Sequence, residues 1–568
     1  MKTRLLAVFS VMTSLVWGQD VILQGETKRE IDKVSRIPTQ PVIDETISQQ
    51  AVQPYPLLSI QQRTSIEVDT IPAANIKLRE NLSQLYRTFV KVGFGTEAMP
   101  LGEVYFNSLR SRKYVFGLHA KHLSSWGNIK GYERSQFDRT DLKLFGGIIE
   151  RKFDVNGTFR YRNQGLHYYA IKAPVDSLGR DVTRQRYNDL GFRVDFGNST
   201  KVDTFKIKYN VGVDYNYFST AKPSIDSLSA WRAQEHAIGI FGKGEYRLKE
   251  NLYGARLEVE HNGFTYGPAR DTLQGIDTAY RSPNTIIRLA PTFQTFLFDN
   301  KFKATVGVDI TLNVAEKLRA HIFPIAEVKY SLFNDIFIPY VGITGGMKQR
   351  TLKSLTLQNE FVRPNVALRN EHITWQVYGG IKGTLSKRIS FDLNTSYGTT
   401  RDFAMFVNDT LYSAGNRYAV VYDTTKIFKL QGAISYQILE KLKVDVLATY
   451  YSYELKNNVH AWNMPDFDLV ARAHYNLFSK FYLNFDFKLE IGRKALVYET
   501  GEGSIQENLQ SFRKLNPIYD FNLGLEYRYT KRLSIFVQMN NIAAQRYQRW
   551  YNAPVHSFQF LGGLTFRF

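Results

Sequence analysis

From about Leu85 to the C-terminus, apolar and polar residues alternate with a period of two in one run after another. In Phe481–Glu490, Phe481, Leu483, Phe485, Phe487 and Leu489 fall on one side, and Tyr482, Asn484, Asp486, Lys488 and Glu490 on the other. Leu442–Tyr451 and Phe205–Tyr217 repeat the scheme. A β-strand sends successive side chains to opposite faces, so each run reads as a strand with one apolar and one charged face. Soluble antiparallel sheets also alternate. Length separates the cases: many runs last about 11–14 residues, whereas soluble strands typically run about 5–6 and a tilted strand needs about 9–11 to cross a bilayer.

The connections between runs are unequal. Tight ones, such as Phe298-Asp299-Asn300-Lys301, Leu385-Ser386-Lys387 and Phe478-Ser479-Lys480, alternate with long ones, such as Met347–Glu371, Arg401–Thr425 and Arg493–Asn516. Short periplasmic turns and long outer loops are the pattern of outer-membrane barrels. The fold expected is therefore all-β: a large antiparallel transmembrane β-barrel of about 22 strands, closed by the C-terminal strand. A mean hydropathy of −0.30 fits, because a spanning strand averages its two faces.

Ahead of the barrel, residues 1–18 read as a signal peptide. Lys2 and Arg4 precede the apolar stretch Leu5–Trp17, and Gly18 allows cleavage before Gln19. Residues 19–82 carry Pro38, Pro41, Pro54, Pro56 and Pro72 with little periodicity. They read as an extended periplasmic segment, either free or inserted in the lumen, and 83–568 as the barrel. The segment holds seven Lys/Arg against nine Asp/Glu, so the net charge of +20 belongs to the barrel.

The last run is Phe558–Phe568. Phe558, Phe560, Leu564, Phe566 and Phe568 share one face, and Gln559, Thr565 and Arg567 the other. An edge strand this apolar would aggregate in water. It suits a strand that pairs with the first and faces lipid. Phe560, Leu564, Phe566 and the terminal aromatic Phe568 resemble the signal by which the barrel-assembly machinery recognises its substrates. Together with Asn540, Asn541, Ile542 and Tyr547, they resemble the end of TonB-dependent receptor barrels. Tyr86, Lys91–Gly95, Tyr105–Ser111 and His122–Ser125 are similar to plugless, receptor-like barrels of the Bacteroidota. That resemblance implies an outer-membrane address and a pore or transport role for an unidentified solute. Receptors of this family carry a plug domain of well over a hundred residues; here only residues 19–82 stand in its place, with no plug-like pattern. The alternative is a scaffold or subunit of an outer-membrane complex. Expected partners are outer-membrane lipid and lipopolysaccharide, the assembly machinery during biogenesis, and a periplasmic or surface protein; nucleic acid is not expected.

Catalytic chemistry finds little support. Without Cys there is no thiol nucleophile, disulfide or Cys-ligated metal. His119 and His122 fall on opposite faces of a strand, and neither HExxH nor GxSxG occurs. His261 and Asp466 are rim candidates that nothing pairs in sequence. No enzyme activity, metal or cofactor is expected. Inward-reading charges are the candidate functional groups: Lys206, Lys208, Arg256, Lys443, Asp445, Arg472, Asp486 and Lys488. They fit a cross-strand ion network or an anion-favouring passage. A third option puts the surplus on outer loops, where Lys348, Arg350, Lys353, Arg363 and Arg369 would meet lipid phosphates. Trp375, Tyr450, Tyr451, Tyr453, Trp550 and Tyr551 read as interfacial girdles.

Overall fold

A computed structural model describes residues 85–568, apart from 172–182, 199–205, 222–230, 269–279, 316, 411, 412, 414, 439, 440 and 500–508. The expected signal peptide and segment 19–82 lie outside the described residues. Twenty-two strands form one closed antiparallel sheet that follows chain order around the ring. The seam joins the first strand, Thr88–Gly95, to the last, Gln559–Arg567, with Val92 opposite Leu564 and Gly93 opposite Gly563. A Cβ on Gly563 would collide with the Val92 carbonyl and the Phe536 ring, so the close approach at the seam requires glycine there.

The two faces divide as the alternation predicts. Val213, Ile240, Leu257, Val306, Ile322 and Leu393 are exposed on the outside of the ring. Their strand neighbours point inward and are mostly polar, charged or glycine, with Phe241 and Phe323 as aromatic exceptions. Such an apolar outer band with a charged interior makes the chain a membrane-spanning barrel of the outer membrane. A charge on the band tests this directly. Ile240→Arg, mid-strand between Val213 and Val259, is expected to cost about 2–4 kcal/mol in urea unfolding of the lipid-inserted protein.

At one end the turns are short. At the other, the loops are long except Thr96–Ala98 and 315–317, two connections that the sequence spacing also leaves short. Two differences concern that outer end. The strands Ile389–Asn408 and Tyr418–Ile438 are 20 and 21 residues long, so most of the expected loop 401–425 is extended hairpin. The loop 493–516 carries a hairpin of its own, Lys494–Glu499 with Leu509–Lys514. Alternation failed to mark the first extension for a physical reason: Ala404 and Phe406 pack into one apolar cluster, and Phe403, Met405 and Val407 into another. With both faces buried, a strand shows no period.

Candidate functional site

The segment 349–370 forms the centre of the outer mouth. It opens with a short helix, α1 (Leu352–Gln358), started by a capping box in which Thr351 and Ser354 bond each other's backbone N–H. The first turn is then held from outside. Glu235, on the eighth strand (Trp231–Leu248), accepts from the N–H of Leu352 at 2.9 Å and of Lys353 at 3.0 Å, and from Asn262 at 2.7 Å. A carboxylate suits the unpaired donors of a helix start.

Beyond the helix, the chain meets the sixth strand and the tip of the 401–425 hairpin together. The Tyr187 hydroxyl, on the sixth strand (Arg184–Asn198), donates to the Glu360 carbonyl at 2.7 Å. The neighbouring carbonyl, of Phe361, accepts from the N–H of Tyr418 at 3.0 Å, at the start of the sixteenth strand. Tyr418 stands at the end of the extended hairpin 401–425, whose tip reaches the sixth strand: Asn416 donates to the Tyr168 carbonyl at 2.8 Å, and the Tyr168 and Tyr187 hydroxyls lie 3.2 Å apart. Tyr422 donates to the Ala367 carbonyl at 2.8 Å, and Gln349 to the Asn284 carbonyl at 3.0 Å. The segment is thus a lid tied to the wall around much of the mouth.

Apolar packing fills the space beneath these bonds. Leu352, Leu355, Phe361, Val362 and Val366 of the lid form one buried cluster with Tyr168, Phe218, Phe264, Phe406, Tyr418 and Trp550. Each large apolar side chain so buried contributes about 1.5–3 kcal/mol. Trp550 is therefore part of the mouth and not of a girdle, whereas Tyr450 is exposed on the outer face as expected. Other outer loops meet in the same cluster: Tyr169 donates to the Pro554 carbonyl at 2.7 Å, and Asn552 to Ala170 at 2.7 Å.

Of the five cations expected on the outer loops, Lys348 has its Nζ buried with no hydrogen-bond partner among the described residues, and the other four are paired with protein acids. Arg350 pairs with Glu371, Lys353 with Asp189 at 2.8 Å, Arg363 with Asp409 at 3.2 Å and Arg369 with Asp402 at 3.4 Å. They anchor the lid instead of meeting lipid phosphates. Glu360 is a half-buried acid of the lid. It accepts from Gln164 Nε2 at 2.5 Å. Burial pushes its carboxyl above the ordinary carboxylate range, against smaller opposing effects of Gln164, Arg139 and Arg549. A carboxyl raised in the docked state binds its proton more tightly there, so docking is strongest at low pH. That advantage is lost as pH rises from the ordinary carboxylate value through the raised one. Glu360→Gln is expected to abolish this dependence and slow amide exchange across 350–365 at neutral pH.

Within the wall, charges lie in register. Lys91, Glu103, Lys121, Asp141, Arg162 and Asp189 stand opposite one another in turn across the first six strands, alternating in sign. The row ends on Asp189, which holds Lys353 of the lid. Of the lumen candidates, Lys443 pairs with Asp445 at 3.1 Å, Arg472 with Asp486 at 3.4 Å, Lys488 with Glu490 at 2.6 Å, and Arg256 with Glu258 at 3.6 Å. Lys206 is exposed just before the seventh strand (Ile207–Thr220), and Lys208 lies on that strand. Of the four pairs, Arg472–Asp486 crosses between strands, and the other three join residues two apart on one strand.

The remaining candidates serve the last outer loop. Asn541 adopts a left-handed φ of 49° and is buried; its side chain donates to the carbonyls of Gln545 at 2.8 Å and His556 at 3.0 Å. Asn tolerates that conformation and can satisfy the freed backbone. Asn540 pairs with Gln559, the Ile542 N–H donates to the Phe521 carbonyl at 2.8 Å, and Tyr547 donates to Asp520 at 3.1 Å. Arg493, which the sequence did not single out, pins the same loop through the carbonyls of Gln548 at 2.7 Å and Arg549 at 2.8 Å. His261 bonds Thr285 and Asp466 pairs with Lys494, so the two rim candidates are not brought together. Phe560, Leu564, Phe566 and Phe568 are exposed on the outer face of the closing strand.

No protein-family model matches the chain, and no curated protein matches it. Solved structures do. The pyoverdine outer membrane receptor FpvA from Pseudomonas aeruginosa PAO1 superposes with a TM-score of 0.64 at 11% identity, over 86% of this chain and 80% of that one. The FrpB iron transporter from Neisseria meningitidis gives 0.63 at 11% identity, over 86% and 82%. This chain has the barrel fold of the TonB-dependent receptors. The ferric-catecholate import receptor Fiu from K12 E. coli agrees, at 0.60 and 10% identity over 86% and 82%. The barrel expected from the closing strand and the Asn540–Asn541 element is the barrel observed.

Proposed function

We propose that the chain is a transport-type pore of the outer membrane, of receptor type but without an in-chain plug domain, whose mouth is gated by the lid 349–370. The observation that carries this reading is the meeting, at the Glu360 and Phe361 carbonyls, of the lid with a sixth-strand side chain and with the tip of the hairpin that extends from the fifteenth and sixteenth strands to the sixth. A segment with those anchors obstructs passage while docked and frees it when released. The wall beneath it is lined with paired charges, which suits a hydrated lumen. The neighbours named above are an iron transporter and receptors for a siderophore or a ferric catecholate, which favours a small solute over a catalytic role. Lipid, lipopolysaccharide and the assembly machinery are the partners this reading needs. Planar-bilayer conductance tests it. The pore reading expects conductance that rises when the lid is released; the scaffold reading expects a sealed barrel with or without the lid.

A further inference from the structure

The surplus positive charge concentrates at the end opposite the lid. Every short turn there except 331–337 carries an exposed Lys or Arg among its described residues. Arg151, Lys249, Lys301, Lys387, Lys480 and Lys531 are exposed, and none forms an ion pair among the described residues. The wall and the lid differ, because most of their cations sit beside acids.

Aromatic residues share these turns. Phe298, Phe333, Phe478 and Tyr529 are 69%, 71%, 82% and 67% exposed. Three of them hold a left-handed backbone, with φ of 53° at Phe298, 52° at Phe333 and 53° at Phe478. Bulky residues seldom adopt that conformation. Aromatic rings at the level of headgroups, beside free cations, form an interfacial anchor for a negatively charged bilayer surface.

The turns are spread around the whole ring. A protein partner would cover one sector, whereas a lipid annulus meets every turn at once. We infer that the periplasmic rim of this barrel binds the headgroups of anionic phospholipids in the inner leaflet of the outer membrane. The contact is electrostatic, with the aromatics seated among the headgroups.

The test uses the full chain in phosphatidylcholine liposomes carrying trace spin-labelled phosphatidylglycerol or spin-labelled phosphatidylcholine. The motionally restricted lipid is expected to favour phosphatidylglycerol by about threefold or more at low salt. High salt should bring the preference towards parity. So should the combined change R151Q, K249Q, K301Q, K387Q, K480Q and K531Q. Parity in the wild-type chain, as expected if the rim serves an acidic periplasmic protein instead, overturns the inference. So does a preference that survives all six changes. Should that variant fail to insert, the triple variant K249Q, K301Q and K387Q is expected to lose about half of the excess, and an undiminished preference there is equally fatal.

Discussion

In a planar bilayer, a chain whose residues 351–369 are replaced by a short glycine-rich turn is expected to conduct steadily where the intact chain opens only briefly. The replacement removes the cluster-forming residues Leu352, Leu355, Phe361, Val362 and Val366 and the anchors at Glu360 and Phe361 while leaving the ring ladder intact. A graded version should behave in proportion. Glu235→Ala strips the acceptor from two helix N–H groups and from Asn262, all in a buried setting. Each buried donor left without a partner costs about 1–3 kcal/mol. A shift of that size in the docking equilibrium raises the open fraction about 5- to 150-fold. Measuring both variants in the full chain and in one lacking residues 19–82 separates the contribution of the lid from that of the N-terminal segment. Unchanged conductance in all four proteins would remove the lid from the mechanism.

Truncation after Thr565 is expected to abolish assembly. The last three residues carry the end of the seam: Thr88 and Phe568 exchange backbone hydrogen bonds at 2.9 and 3.0 Å, and Arg567 donates to the Arg532 carbonyl at 2.8 Å. Without them, backbone groups of Thr88 and Arg532 lose their partners at the membrane edge, at about 1–3 kcal/mol for each one left buried. The folded, heat-modifiable band should disappear both in cells and on refolding into detergent. Phe568→Ala distinguishes closure from recognition, since it keeps every one of those backbone bonds. If the terminal aromatic acts as an assembly signal, that variant refolds in detergent but fails to reach the outer membrane in cells. Normal delivery of Phe568→Ala would show that only ladder closure matters.

The wall of this protein was legible because lipid and lumen impose opposite demands on alternate residues. Runs such as Leu442–Tyr451 and Phe481–Glu490 advertise both faces, and the strand count followed from them. Register then turned scattered charges into pairs, as with Asp445, Arg472 and Asp486 standing side by side on three successive strands. The mouth was illegible for the opposite reason. Residues 403–407 are buried on both faces and lose their period. Helix α1 is too short for its apolar stripe to show, and its strongest support, Glu235, lies more than a hundred residues away in the chain. The capping box at Thr351 and Ser354 was the one local signal. Arg350, Lys353, Arg363 and Arg369 looked like a lipid-facing cluster because their acidic partners, on other loops and strands, cannot be found by spacing.

The anchors of the lid also set an order of events. Its partners lie on the sixth, eighth and sixteenth strands and in the loop just before the closing strand, so none can be satisfied together until nearly the whole ring exists. Loop docking is therefore expected to be the last step of folding, after the wall is complete. Protection of 349–370 from protease in pulse-chase samples would date the completion of each molecule, making the lid a built-in clock for barrel assembly.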